Sequence, residues 1–135
     1  MRCLFPDICS DDLIACRDFY RSLFGFEIVY EIDWYVQMKH PENDALQIAF
    51  VRRDHPSVPK GDQATARGVV VTLETDAVDP VYERATDLGF EPVLTLRDEE
   101  WGQRHFMLRD PSGLLVDVVQ MIDPSPDFLK EHGLA

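Results

Sequence analysis

The sequence is poor in positive charge, and this shortage narrows the range of partners. Lysine and arginine together number 13 of 135 residues, against 25 aspartates and glutamates, so the formal net charge is -12. A surface of this sign repels the phosphates of nucleic acids and of anionic membranes. We therefore expect no nucleic-acid or membrane partner. The partner classes left are a small molecule, a metal ion, a cation or a second copy of the chain.

Long apolar runs and paired cysteines are also missing. No segment has the apolar length of a signal peptide or a membrane span, so we expect a cytoplasmic protein. The cysteines Cys3, Cys9 and Cys16 are odd in number and lack CxxC spacing. We predict that they are reduced and mostly buried, with neither a disulfide nor a zinc site. GxGxxG, P-loop, GxSxG and HExxH motifs are absent too.

Apolar residues at three- and four-residue steps predict two amphipathic helices, over residues 10–24 and 76–88. One of the polar residues at positions 10–12 can cap the first helix, and Gly25 can end it. Asp79-Pro80 is typical of a helix start, and Gly89 follows the second helix. The tail contains a further short helical segment over residues 127–132.

Around these helices the sequence predicts eight strands and a repeated order. The strands cover residues 2–9, 26–32, 34–40, 45–51, 68–75, 90–96, 103–109 and 115–122, with Pro6 weakening the first. Asp110-Pro111-Ser112-Gly113 predicts a turn. Each half is therefore β-α-β-β-β, and Gly-Phe-Glu recurs at 25–27 and 89–91. We predict one α+β domain over 1–135, with module one at 1–51, a connector at 52–67, module two at 68–122 and a tail at 123–135.

A module with one helix covers only one face of its sheet. The other face needs a second sheet, from the other half or from another chain. Two curved sheets side by side form a cupped mixed sheet, and the resulting trough is the default place to look for a ligand.

Several short motifs, in this order and spacing, resemble a known superfamily. They are Phe19-Tyr20, 23–27 (LFGFE), 79–84 (DPVYER), 88–90 (LGF), 101–104 (WGQR), 110–113 (DPSG) and 115–120 (LVDVVQ). The chain resembles the vicinal oxygen chelate superfamily, also called the glyoxalase/bleomycin resistance/dioxygenase superfamily, from about residue 9 to residue 120. The resemblance implies paired βαβββ modules, a homodimer and, in many members, a divalent metal held by His, Gln and Glu. Other members, such as the bleomycin-binding resistance proteins, sequester a drug without a catalytic metal.

Carried onto this chain, the resemblance places the metal-ligand positions at Phe5, Gln47, Val70 and Asp117. Phenylalanine and valine cannot bind a metal ion, so we expect the usual His/Glu metal site to be missing and no metal cofactor. The alternative is a non-standard divalent-metal site built from Gln47, His105 and Asp117. In that case the protein is a lyase, isomerase, transferase or dioxygenase.

We predict that a small-molecule ligand is bound in the trough by Gln47, Thr72, Glu74, Trp101, Arg104, His105 and Asp117. Strand alternation supports part of this set, because Thr72, Glu74 and Asp117 fall on the face away from the helix. Ordinary structural roles stay open for the same residues. Asp117 can pair with Arg104 or Arg109, and Trp101 can be a lid or a dimer contact. The sequence leaves open whether the protein is an enzyme, a binding protein or an interaction module.

Overall fold

The computed structural model describes residues 1–135 and contains two β-α-β-β-β repeats followed by a short helix. The first repeat comprises β1 (Asp7–Ser10), α1 (Leu13–Phe24), β2 (Glu27–Ile32), β3 (Tyr35–His40) and β4 (Asn43–Arg52). The second comprises β5 (Val70–Glu74), α2 (Val78–Asp87), β6 (Leu94–Glu99), β7 (Gln103–Arg109) and β8 (Leu115–Met121), and α3 (Pro126–Glu131) follows it. The α+β class with two βαβββ modules is thereby confirmed. None of these helices combines the length and apolar character needed to cross a membrane.

Each repeat builds its own four-stranded sheet. The strand order is β1-β4-β3-β2 in one sheet and β5-β8-β7-β6 in the other. β1 and β4 are parallel, as are β5 and β8, whereas the remaining neighbours are antiparallel. The first strand of each repeat can lie parallel to the last because a helix and two strands connect them.

Contacts divide the chain into two compact units. The first unit comprises residues 1–69 and 110–114, and the second comprises 70–109 and 115–135. The predicted turn at 110–113 lies in the first unit. There the buried Asp110 carboxylate accepts hydrogen bonds from the Tyr20 hydroxyl (2.7 Å) and from the Ser112 and Leu114 backbone amides (2.8 and 3.1 Å).

Helix α1 begins and ends at signals that the sequence contains. The Asp12 side chain accepts a hydrogen bond from the Ala15 amide (3.0 Å), and Gly25 ends the helix with a left-handed φ of 72°. Glycine adopts this conformation without the steric cost that other residues meet. The buried side of the helix packs on its sheet, where the rings of Tyr20 and Phe50 lie 5.4 Å apart.

Helix α2 begins differently from the prediction. The helix starts at Val78, so Asp79-Pro80 lies inside it rather than at its cap. The cap residue is Ala77, whose side chain makes no capping hydrogen bond. Instead, the Val78 amide donates to the Gln120 side-chain oxygen on β8 (3.0 Å). A residue distant in sequence therefore supplies the acceptor that a local cap normally supplies.

Two predicted strands have the wrong bounds, and proline has a part in each error. β1 covers Asp7–Ser10 rather than 2–9, because Pro6 has no amide hydrogen to donate and only its carbonyl pairs, with the Ala49 amide (2.9 Å). β6 covers Leu94–Glu99 rather than 90–96. The Phe90 amide bonds to the Ala85 carbonyl at the end of α2 (3.0 Å), and Pro92 delays the strand further.

The cysteines are free, but only one is buried. Cys16 is buried, Cys9 is partly exposed and Cys3 is exposed, so the prediction of mostly buried cysteines is wrong for Cys3. Burial is the main reason that the pKa of Cys16 rises to about 12. Since the thiolate is the reactive form, this cysteine is a packing residue rather than a nucleophile.

Candidate functional site

In the first unit, the sheet face opposite α1, here called the open face, carries aromatic and polar side chains. The register aligns Tyr30 with Gln37 and Ile32 with Tyr35, which in turn lies opposite Val51. Since side chains alternate between faces along a strand, these residues share the face that α1 leaves free. Phe50 and its neighbours on the helix side form the core instead.

This open face contains a pocket of about 400 Å³. Its size falls within the range of small-molecule sites, about 300–1,000 Å³. The pocket is lined by Asp7, Tyr30, Ile32, Trp34, Tyr35, Val51, Ser57 and Val58, all of the first unit, and we call it the hairpin pocket.

Three aromatic rings form one side of the hairpin pocket. Trp34 lies in the turn between β2 and β3, and its ring centroid is 6.0 Å from that of Tyr35. The Tyr30 and Tyr35 rings are 6.3 Å apart. Tyr30 is 54% exposed, so its ring is accessible to a ligand. Such a surface can stack on the flat or apolar body of an organic molecule.

The segment after β4 completes the pocket. His55 stacks on Trp34 with ring centroids 3.7 Å apart and an interplanar angle of 3°. The Ser57 amide donates to His55 Nδ1 (3.1 Å), and the Gln63 side chain donates to the Val58 carbonyl (3.0 Å). These contacts hold Ser57 and Val58 beside the aromatic hairpin.

The only ionisable carboxylate of the hairpin pocket is Asp7, and it has no partner. Its side chain forms neither a hydrogen bond nor an ion pair, and no lysine or arginine lines the pocket. The two arginines at the end of β4 are engaged elsewhere. Arg52 pairs with Asp54 (2.9 Å), and Arg53 pairs with Asp11 (2.8 Å). The pocket therefore carries unbalanced negative charge.

The electrostatics of Asp7 and its neighbour Tyr35 reflect this charge. Partial burial raises the pKa of Asp7. Burial, and then the charge of Asp7, raises the pKa of Tyr35. The Tyr35 hydroxyl donates to the Gln37 side-chain oxygen (3.0 Å). The Gln37 side-chain NH2 group in turn donates to the Gln47 side-chain oxygen (2.6 Å). Tyr35 is thereby oriented at the pocket wall.

The second unit has a different cluster on its open face. His105 on β7 is only 2% exposed and lies between two carboxylates. Its Nδ1 is 2.8 Å from Asp117 Oδ1 on β8, and its Nε2 is 3.2 Å from Glu99 Oε2 on β6. We call Glu99, His105 and Asp117 the histidine cluster. Both ring nitrogens are occupied, so the imidazole links three strands of the sheet.

Charge around Glu99 supports this linking role. Burial alone opposes ionisation of Glu99, but hydrogen bonds from Arg97 and His105 outweigh it and lower the pKa of Glu99. Arg97 Nε lies 3.0 Å from Glu99 Oε1. The carboxylate thus stays ionised and satisfied, as expected of a structural polar network.

The structure brings four predicted site residues onto one face of the second sheet. Thr72 pairs in register with Asp117, and Glu74 with Val119, which lies opposite His105. Thr72 and Glu74 are exposed. Asp117 is hydrogen-bonded to His105, whereas Arg104 pairs with Asp79 and Asp98.

Three other predicted site residues lie elsewhere. Trp101 is in the turn before β7, where its Nε1 donates to the Gln103 side chain (2.8 Å) and its ring meets the His105 ring edge-on at 6.3 Å. Arg104 lies on the helix side of the second sheet and pairs with Asp79 (2.8 Å) and Asp98 (2.9 Å).

Gln47, the remaining one, belongs to the first unit. Its side-chain oxygen accepts from Gln37, and its amide donates to the Asp44 carbonyl (2.7 Å). The side chain is therefore not in the histidine cluster but at the end of the hydrogen-bonded chain that begins at Tyr35 of the hairpin pocket.

The donor groups present do not fit the metal that the resemblance implies. Phe5 and Val70 offer no donor atom, and the Gln47 amide is already bonded at both ends. Asp117 is bonded to His105 through one oxygen. No group of three or more His, Cys, Asp or Glu side chains has an arrangement suited to a metal ion.

Sequence reasoning missed the residues of the hairpin pocket and Glu99. Glu99 was outside the predicted strand because β6 was placed too early. The signal for the pocket was present in Trp34 and Tyr35, two adjacent aromatics at a predicted strand start. Ser57 and Val58 carry no such signal, because only the folded connector brings them to the sheet.

Solved structures similar to this one share its fold. A glyoxalase/bleomycin resistance protein/dioxygenase from Nocardioides has a TM-score of 0.70 at 21% identity, covering 90% of this chain and 85% of that one. A lactoylglutathione lyase from Agrobacterium tumefaciens has a TM-score of 0.70 at 22% identity, covering 87% and 92%. A bleomycin resistance determinant encoded on transposon Tn5 has a TM-score of 0.65 at 22% identity, covering 87% and 96%.

Sequence comparison gives the family itself. A search of curated proteins found no match. The family model described as Glyoxalase/Bleomycin resistance protein/Dioxygenase superfamily matches residues 4–118, which is most of the chain. This match confirms the resemblance drawn from the sequence motifs. The chain therefore belongs to the glyoxalase/bleomycin resistance protein/dioxygenase superfamily.

Proposed function

We propose that this protein binds a small organic molecule in the hairpin pocket, without the two-histidine metal centre typical of its superfamily. The observation that carries the proposal is the pocket itself, with its aromatic wall and a volume of about 400 Å³. Membership alone does not choose a chemistry, since this scaffold hosts both lyases and drug-binding proteins. The named similar structures include a lactoylglutathione lyase and a bleomycin resistance determinant.

The donor chemistry supports independence from metal. Two of the four implied ligand positions are Phe5 and Val70, and a third, Gln47, uses both ends of its amide in hydrogen bonds. An imidazole with both nitrogens bonded, as in His105, is also a poor ligand until it gives up one carboxylate. A cytoplasmic homodimer remains part of the proposal, from the sequence and the superfamily.

Binding of three naphthyl probes that differ only in charge tests the proposal. They are 2-naphthylmethylammonium, 2-naphthylmethanol and 2-naphthoate, titrated calorimetrically into EDTA-treated protein. We expect at least one to bind at a single site per chain. Ser57→Trp, which fills the pocket from its exposed connector side, should abolish this binding. Thr65→Trp is the matched control, because Thr65 is exposed and does not line the pocket.

The metal-dependent alternative predicts the opposite pattern. Protein purified without chelator would then contain a stoichiometric divalent metal by elemental analysis, and EDTA would abolish probe binding. Either result would overturn metal independence. Binding that Ser57→Trp leaves intact would remove the hairpin pocket from the proposal.

A further inference from the structure

The charges around the hairpin pocket carry an inference about its ligand, which rests on the proposed function. We infer that the ligand is an organic cation with a flat or apolar body, held over Tyr30, Trp34 and Tyr35 with its positive charge directed to Asp7. The ligand class follows from three features of the pocket: its aromatic wall, its single carboxylate and the absence of lysine and arginine from its lining.

The aromatic wall favours a cation over a neutral molecule of the same shape. The face of an aromatic ring carries partial negative charge and attracts ammonium groups within about 6 Å of its centroid. The ring centroids of Tyr30 and Tyr35 are 6.3 Å apart, and those of Trp34 and Tyr35 are 6.0 Å apart. One ligand can therefore contact more than one ring. His55 stacks on Trp34 and fixes the orientation of its indole.

Asp7 supplies the counter-charge. Its carboxylate is unpartnered in a pocket without lysine or arginine, and the nearby Arg52 and Arg53 are held by Asp54 and Asp11. A cationic ligand would give this carboxylate the partner it lacks. An anionic ligand would find no positive group in the lining and would meet the charge of Asp7.

The naphthyl series tests the sign of the ligand charge. We expect 2-naphthylmethylammonium to bind about tenfold more tightly than 2-naphthylmethanol, the size expected of a partly exposed cation–π and ion-pair contact. 2-Naphthoate should bind most weakly. Equal affinity of the cation and the alcohol would overturn the cation inference and leave pocket binding intact. Failure of all three probes would overturn both.

Two variants separate the site from the general field of a protein with net charge -12. Asp7→Asn should remove most of the tenfold preference for the cation over 2-naphthylmethanol. Asp33→Asn is the matched control, because it removes the same charge beside Trp34 but does not line the pocket. If Asp33→Asn weakens the cation as much as Asp7→Asn does, the preference comes from the overall charge and the inference is wrong.

The aromatic contribution has its own test. Tyr30→Leu keeps an apolar side chain at an exposed position, so folding should be little affected. We expect Tyr30→Leu to weaken binding of 2-naphthylmethylammonium several-fold more than binding of 2-naphthylmethanol, because leucine offers apolar contact but no ring face. An equal loss for both probes would show that Tyr30 acts by apolar contact alone and would count against the inference.

Discussion

The two units share one topology but differ on their open faces. On the helix side they are alike: a helix tyrosine meets a strand phenylalanine in both, with ring centroids 5.4 Å apart for Tyr20 and Phe50 and 5.0 Å for Tyr82 and Phe106. On the open side the first unit has an aromatic pocket with an unpaired carboxylate. The second has a buried histidine whose nitrogens are both occupied.

This difference separates what the fold needs from what is free to vary. The helix side must be apolar and well packed, so both repeats solve it with large buried side chains. The open side is constrained less, and the two repeats carry different side chains there. In the second unit, polar groups satisfy one another and stiffen the sheet. In the first, the Asp7 carboxylate lines the hairpin pocket and has no partner within the chain.

The largest expected effect on stability tests whether the helix sides of the two units are packed equally well. Phe50 and Phe106 are both 0% exposed. Replacing either by alanine should lower the free energy of unfolding by about 3–5 kcal/mol, as for other buried phenylalanines. Urea denaturation of both variants measures this, with Leu4→Ala, at a 92% exposed position, as the control. If one replacement costs as little as the control while the other unfolds the protein, the helix sides of the two units are not packed alike.

A smaller loss of stability is expected when the hydrogen bonds of the histidine cluster are removed. His105→Ala leaves the buried Asp117 carboxylate without its imidazole partner. We expect a loss of about 2 kcal/mol, between the values for neutral and charged buried pairs. His132→Ala, in the exposed tail, should cost much less. A stable His105→Ala protein that no longer binds the naphthyl probes would instead make His105 a binding residue.

The smallest effect on stability is expected for Asp7→Asn. This replacement should leave the stability unchanged or raise it slightly, whereas the replacements above lower it. Partial burial holds the pKa of Asp7 in the folded protein above its ordinary value of 3.8, so ionisation opposes folding increasingly as the pH rises above that value. At pH 7, Asp7→Asn should therefore unfold at the same temperature as the parent protein or slightly higher. The difference should vanish below about pH 3.8, where the parent carboxyl is protonated in both states. A lower unfolding temperature for Asp7→Asn at pH 7 would show that Asp7 has a structural partner.

Much of the fold could be predicted from the sequence because its signals are local. Periodicity located both helices, and Gly25 and Gly89 marked their ends. The errors arose where distant residues decide the structure. Helix α2 begins at Val78 because Gln120 accepts its amide. β6 begins late because the Phe90 amide is used at the end of α2.

The candidate site was less predictable for the same reason. Alternation correctly placed Thr72, Glu74 and Asp117 on one face of β5 and β8, since that pattern depends only on the strand. It could not find the His105–Asp117 hydrogen bond or the packing of Ser57 and Val58 against the hairpin. These contacts depend on register between strands and on the path of the connector.

The most direct test of the account is an amide NMR titration of the ¹⁵N-labelled protein with 2-naphthylmethylammonium in the presence of EDTA. We predict that the shifted amides lie at Tyr30–Tyr35 and at Ser57 and Val58, around the hairpin pocket. The amides of Thr72, His105 and Asp117 in the second unit should stay unchanged. Shifts concentrated at those three residues, with the hairpin pocket silent, would contradict the division of roles between the two units.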